Sequence, residues 1–265
     1  MSDISKLLNL TFFTINKYEF TKKHIFDFSN YPRPHFCMGL IIKGEADFSF
    51  YKKNIHVTPG DIIFVPKTTR YISTWHGNPQ IKYISMHFSF SHGGMFDSKK
   101  IFEIQKIKLP DFEMLEKKYE FVLSNYIGDK SGQLKALGCF YDILGDVYEH
   151  LTFKKAQKMD SRIEKAIEYI ELNYSDDFTT NELAKISNMS ESHFYSCFKK
   201  ETGLTPVEYK LKTRISHGTL LLLDNQNRSI DEISELLGFE SSTYFRRVFK
   251  KITGKSPRDY KKLTE

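Results

Sequence analysis

Thr243, Arg246, Arg247 and Lys250 are spaced i, i+3, i+4 and i+7, which puts all four on one face of a helix. A guanidinium is a planar fork of donors that fits a phosphate or the O6/N7 edge of guanine, and an ammonium neutralises phosphate as a point charge. From Thr243 to Lys262 there are eight Lys or Arg residues against the single Asp259. Tyr244, Phe245, Val248, Phe249 and Tyr260 are interleaved with them, so the charge lies on a packed element rather than a solvated tail.

Other chemistry is poorly supported. Cys37, Cys139 and Cys197 are odd in number and contain no CxxC pair, which speaks against a disulfide framework or a zinc site and for buried thiols in a reducing cytoplasm. Among His24, His35, His56, His76, His87 and His92 no two stand at i, i+2, so neither a metal nor a cofactor is expected. No Ser/His/Asp set or phosphate loop stands out, and an enzyme is not expected. The 265 residues carry a net charge of +6 and are 40% hydrophobic. They include no apolar run near the roughly 20 residues of a membrane span. There is no signal-peptide pattern either, so a cytoplasmic protein without membrane contact is expected.

The basic helix is the second copy of something. "HFYSCFKKETGLTPVEY" from His193 returns as "YFRRVFKKITGKSPRDY" from Tyr244, 51 residues later. Each copy begins with a capping box, Thr179 with Glu182 and Ser229 with Glu232. A short helix leads to a turn at Asn188 or Gly238, residues that tolerate the left-handed region. The second helix carries Phe194, Cys197 and Phe198, or Phe245, Val248 and Phe249, on its inner face, and ends at Gly203 or Gly254. A third starts at Thr205-Pro206 or Ser256-Pro257. This is a helix-turn-helix unit written twice, at about 178–203 and 228–254. The inward residues are duplicated and the outward ones are not: Ser192, Tyr195, Ser196 and Lys199 stand where the second copy has Thr243, Arg246, Arg247 and Lys250. These eight are the expected contacts to a major groove of double-stranded DNA. Residues 160–265 as a whole hold 17 basic and 17 acidic side chains, so the positive charge is concentrated at the end of the second unit. That predicts modest affinity for one copy and a need for dimers.

"AIEYIELNY" (166–174), "NELAKISNMSESHFYSCFKKETGLTPVEY" (181–209), "TRI" (213–215) and "SIDEISELLGFESSTYFRRVFKKITGKSPRDY" (229–260) resemble the AraC/XylS family of bacterial transcription regulators. The resemblance implies two helix-turn-helix subdomains joined by a long helix, each placing one helix in a major-groove segment. It also implies groove-facing roles for Ser192, Tyr195, Ser196, Thr243, Arg246 and Arg247, activation in contact with RNA polymerase, and a homodimer. Gly218 departs from the family's usual alanine, which loosens the connecting helix or permits close packing.

Residues 1–107 read as short strands broken by turns at Lys43-Gly44, Lys52-Lys53-Asn54, Pro59-Gly60-Asp61, Pro66 and Gly77-Asn78-Pro79, hence a sandwich or barrel. "TPGDIIFVP" resembles the hairpin of cupin-type sensor domains. A strand over 81–88 puts Tyr83, Ser85 and His87 on one face. With His35, Tyr71 and Trp75 they are the candidate site for a small-molecule effector, by family analogy a carbohydrate. Residues 108–155 turn helical, with Leu134, Leu137, Tyr141, Leu144, Tyr148 and Leu151 spaced as a coiled-coil seam and expected to dimerise. Residues 154–161 read as the linker to 160–265, the DNA-binding domain. The expected fold is therefore multidomain α+β: a cupin-like β-barrel with a helical pair, then an all-α tandem helix-turn-helix domain. Two other readings stay open, a cupin-type metalloenzyme with a helical appendage and a ligand-independent DNA-binding protein whose barrel only dimerises.

Overall fold

A computed structural model describes residues 10–30, 32–33, 35–77, 79–90, 96, 100–155, 159–223 and 228–261. Asn78, His92 and Lys262, residues 1–9 of the expected barrel and 156–158 of the expected linker lie outside the described residues. The chain divides into two compact units, one of Phe12–Ser89 with Ile101–Lys154, the other built mainly on Lys155–Glu265.

The first unit is a flattened barrel of two facing sheets. Its strands are β1 (Leu10–Phe20), β2 (His24–Asp27), β3 (Phe36–Lys43), β4 (Glu45–Phe50), β5 (Lys53–Val57), β6 (Asp61–Val65), β7 (Ile72–His76), β8 (Ile81–Phe90), β9 (Lys100–Phe102) and β10 (Gln105–Lys108). Helices α1 (Phe112–Tyr126) and α2 (Lys130–His150) and strand β11 (Phe153–Lys155) follow. One sheet runs β1-β8-β3-β6-β10, the other β2-β7-β4-β5, and β9 pairs with β11. β3 and β8 are antiparallel, with Cys37 opposite His87 and Gly39 opposite Ser85.

β3, β6 and β8 are buried on both faces, which is why they read as near-continuous apolar runs. Their period of two sends Cys37, Ile41, Ile63 and Tyr83 between the sheets. The alternate residues lie under the helices, where Phe88 meets Phe140 at 5.2 Å between ring centroids and the Tyr119 hydroxyl donates to the Met38 carbonyl at 3.5 Å. Gly44 closes the β3–β4 turn at φ +76°, where a Cβ would lie 2.7 Å from the His76 carbonyl oxygen.

The second unit contains α3 (Ser161–Leu172), α4 (Thr180–Ile186), α5 (Glu191–Thr202), α6 (Pro206–Leu223), α7 (Ile230–Leu236), α8 (Ser242–Thr253) and α9 (Pro257–Lys261). Both capping boxes form: the Thr179 and Ser229 hydroxyls accept from the amides of Glu182 and Glu232, whose carboxylates accept from the cap amides at 2.7 Å. Asn188 and Gly238 take φ +50° and +71°, and Gly203 and Gly254 end α5 and α8 in the left-handed region. Two separate cores result. Ile163, Ile170, Leu183, Phe194 and Phe198 belong to the first, and Ile215, Leu222, Ile233, Phe245 and Phe249 to the second. Gly218 proves to be a packing glycine: a Cβ there would lie 2.9 Å from Leu237 Cδ1 and 3.4 Å from Phe245 Cε2.

His217, on α6, stacks on Tyr174 at 4.0 Å, and burial lowers its pKa to about 4. The folded imidazole thus stays neutral while the unfolded chain takes up a proton near 6.5, so the unfolded state binds more protons between these values. Stability should be complete above pH 6.5 and decline toward pH 4, by up to about 3 kcal/mol. Urea titrations across this range should show the decline, and His217→Phe should flatten it.

Candidate nucleic-acid interface and ligand chamber

Packing decides what α8 shows to solvent. Phe245, Val248 and Phe249 are buried in the second core, which leaves Thr243, Arg246, Arg247 and Lys250 together on the opposite face, all four exposed. Arg246 Nη2 lies 3.2 Å from Asp231 Oδ1 on α7, and the Arg247 guanidinium sits 5.2 Å from the centroid of the Tyr244 ring. Both partners hold the guanidiniums near the helix surface without enclosing them. An exposed pair of this kind is worth about 0–1 kcal/mol, so Arg246 can exchange Asp231 for another acceptor at little cost. Asp231 was not singled out from the sequence, because it lies 15 residues away on a different helix.

α5 is turned the same way on the first core. Phe194 and Phe198 are buried, while Ser192, Tyr195, Ser196 and Lys199 are exposed, Tyr195 at 42%. The Ser196 hydroxyl donates to the Ser192 carbonyl at 3.1 Å, which commits that donor to its own helix. The two second helices therefore offer unequal faces, one carrying three cations and the other one cation, a phenol and two hydroxyls.

Inside the first unit all six residues singled out for an effector are buried. Tyr83 stacks between Trp75, 3.9 Å away, and Tyr18, 4.7 Å away, and Phe48 meets Trp75 edge-on. Tyr71 lies against Phe28 and Phe48, and the Trp75 indole N–H donates to the Ser73 hydroxyl at 3.1 Å. A polar end adjoins this aromatic one. His87 Nε2 is 2.8 Å from Ser85 Oγ, which is 3.2 Å from Cys37 Sγ, and Arg33 Nη1 is 3.3 Å from His87 Nδ1. His35 packs edge-on to His87 at 5.1 Å.

Burial, and then the Arg33 charge, hold the His87 pKa well below its usual value. A guanidinium has no acceptor, so the neutral ring accepts at Nδ1 and its Nε2–H donates to Ser85. Burial also raises the Cys37 pKa, which keeps it a thiol. Thr14 and Asn16 are buried on the same strand face as Tyr18, and Asn16 Nδ2 has no hydrogen-bond partner among the described residues. The space left inside is about 20 Å³, room for about one water. Arg33, Cys37, Ser73, Thr14 and Asn16 escaped the sequence reading because only strand pairing brings them to this interior. Among the described residues no group of three or more His, Cys, Asp or Glu side chains is arranged to hold a metal ion.

The helical seam is divided. Leu144 and Leu151 are buried within their own unit, so they are not available to a partner helix. Lys118 on α1 pairs with Asp142 and Asp146, which marks the flank of α2 that faces α1. A 3.6-residue period places Leu134, Leu137, Tyr141 and Tyr148 on the other flank, with Leu134 69% exposed and Tyr141 and Tyr148 half-buried.

Two helix-turn-helix units in tandem, each presenting its second helix outward from a core of its own, define a DNA-binding protein. Residues 183–263 match the family model described as a helix-turn-helix domain. The chain is 26% identical over 272 residues to the Msm operon regulatory protein of Streptococcus mutans, covering 94% of this chain and 95% of that protein. It is 23% identical over 238 residues to the lactose operon transcription activator of Staphylococcus xylosus, covering 84% and 82%. ToxT of Vibrio cholerae, solved with (E)-4-(8-methylnaphthalen-1-yl)but-3-enoic acid bound, has a similar fold, with a TM-score of 0.64 at 15% identity over 96% of this chain and 99% of that one. Residues 183–263 thus form an AraC-type helix-turn-helix domain, and the relatives matched over most of the chain are transcription regulators. Among the described residues no helix is long and apolar enough to cross a membrane.

Proposed function

We propose that this protein is a cytoplasmic transcription activator that works as a homodimer and answers to a small molecule. The observation that carries the DNA part is the outward quartet Thr243, Arg246, Arg247 and Lys250 on α8, backed by an apolar core. Arg246 and Arg247 read base edges, Lys250 and Lys199 neutralise phosphate, and Thr243, Ser192, Tyr195 and Ser196 complete the contacts. α5 and α8 of one subunit occupy adjacent major-groove segments about 10 base pairs apart. Activation and contact with RNA polymerase rest on the kinship with named operon regulators, one of them an activator, and we infer no catalytic step. Replacing Arg246 or Arg247 with Ala should weaken specific binding by about 1–3 kcal/mol for each true base contact. An undiminished affinity in a footprinting titration would remove that residue from the readout.

The effector site is the interior between the sheets, with Trp75, Tyr83 and Tyr71 as stacking faces and His35, Ser85 and His87 as the polar end. A carbohydrate suits this pairing of aromatic faces with hydroxyl and imidazole groups, and one relative is named for a lactose operon. With room for about one water, such a ligand has to part the aromatic stack. Trp75, the one tryptophan of the chain, then reports on entry. A sugar that binds should shift Trp75 emission and raise the melting temperature, since about 100-fold excess over Kd stabilises the native state by about 2.7 kcal/mol. The tight interior favours a second reading, a regulator that needs no ligand. A broad metabolite panel without either signal would establish that reading in place of the first.

The dimer forms through the outer flank of α2, Leu134, Leu137, Tyr141 and Tyr148, while Leu144 and Leu151 support it from behind. Sedimentation at tens of micromolar should show a dimer, and Leu134→Glu with Leu137→Glu a monomer. A monomeric parent protein would refute the interface.

A further inference from the structure

Tyr174 follows the end of α3, whose Ile163, Ile167 and Ile170 build the first core, yet its own ring packs against the second. There it stacks on His217 of α6, with the planes 6° apart. Three successive carbonyls of this segment turn to one side chain. Arg214 Nε donates to Tyr174 O at 2.6 Å, and Nη2 to Ser175 O at 3.1 Å and Asp176 O at 3.2 Å. The same guanidinium lies 5.5 Å from the centroid of Phe239, in the turn of the second helix-turn-helix. That turn touches the segment directly: a Cβ on Gly238 would lie 1.8 Å from Ser175 O. Five residues before Arg214 on α6, the Tyr209 hydroxyl donates to Glu171 at 2.9 Å. Arg214 is 6% exposed, and a guanidinium is buried only where its donors are used.

The two cores share no residue, and the joint lies where the 174–176 segment and α6 pass from one to the other. What the joint does set is the placement of α5 relative to α8. A single helix such as α6 would leave that placement to its own bending. A guanidinium holding three carbonyls between α6, the 174–176 segment and the Gly238 turn removes the freedom. We infer that Arg214 is a positioning residue for DNA recognition: with Tyr174 and Gly238 it locks the two recognition helices at one spacing, so that both can enter one duplex without a rearrangement at the moment of binding. The inference rests on both helices reading the same DNA.

The joint can be tested without DNA. Spin labels on Lys200→Cys and Lys251→Cys in the full chain, with Cys37, Cys139 and Cys197 changed to Ala, report the distance between the ends of α5 and α8. The parent should give one narrow distance distribution, Arg214→Met a broad one, and Arg214→Lys, which keeps the charge but not the fork, an intermediate one. A distribution as narrow in Arg214→Met as in the parent would overturn the inference. The second arm uses the duplex that the full-length parent selects from a random pool, and the same duplex with the α5 segment scrambled. Arg214→Met should lose about tenfold or more on the first and stay unchanged on the second, because only two-segment binding draws on fixed geometry. Equal loss on both would mean general destabilisation and would also overturn it. If Arg214→Met fails to fold, Tyr174→Leu, which removes the stack and keeps apolar volume, takes its place in both measurements: a narrow distribution, or equal loss on the two duplexes, overturns the inference in the same way. Failure to select any duplex would count against DNA reading by both helices, and the distance measurement would still decide the joint.

Discussion

The burial of Phe245, Val248 and Phe249 is the constraint on which the rest of the DNA-binding half depends. A helix with three large apolar groups at i, i+3 and i+4 has one orientation that removes them from water. Once that orientation is taken, the side chains at the complementary positions have to face outward. Arg246, Arg247 and Lys250 are gathered on one exposed face because the opposite face is committed to a core. The same constraint operates on α5 through Phe194 and Phe198. Duplication preserved the inward residues, which must fill a fixed volume, and let the outward ones diverge, which need satisfy only the partner.

The two outward faces are unequal in a way that suits division of labour. α8 presents two guanidiniums whose intramolecular partners, Asp231 and the Tyr244 ring, hold them only weakly at the surface. α5 presents short hydroxyls, one already bonded to its own backbone. In the proposed DNA-bound state, strong and geometrically specific contacts would come from α8, with α5 adding close approach and shape. An unequal pair of this kind gains from being rigid, since the weaker helix contributes only when the stronger one carries it to the right place. The Arg214 joint and the close contact of α6 with Leu237 and Phe245 at Gly218 supply that rigidity in this half.

The β unit answers a different physical demand. Its interior is filled by stacked rings, with buried hydroxyls, imidazoles and a guanidinium at one end. An interior of this composition leaves space for about one water. The neutral state of His87, imposed by burial and Arg33, keeps the polar end a set of directed donors and acceptors rather than a second positive charge.

What could be read from residue order alone was whatever depends on neighbours within a few positions. The capping boxes at Thr179 and Ser229, the left-handed turns at Asn188 and Gly238, the C-terminal glycines and the inward Phe spacing are all local, and with them came the helix-turn-helix pair and the outward quartet on α8. Alternation in β8 likewise showed that Tyr83, Ser85 and His87 share a face. Residues separated by tens of positions were decided only by the tertiary structure. Arg33 and Cys37 meet His87 and Ser85 through the pairing of β3 with β8 and the loop before it, and Arg214 meets Tyr174 from 40 residues away. The seam on α2 shows the same limit from the other side. Its regular spacing promised one continuous interface, but packing on α1 and the sheet claimed Leu144 and Leu151 and left only the outer flank, because a straight helix of 3.6 residues per turn carries a 3.5-residue stripe around its axis.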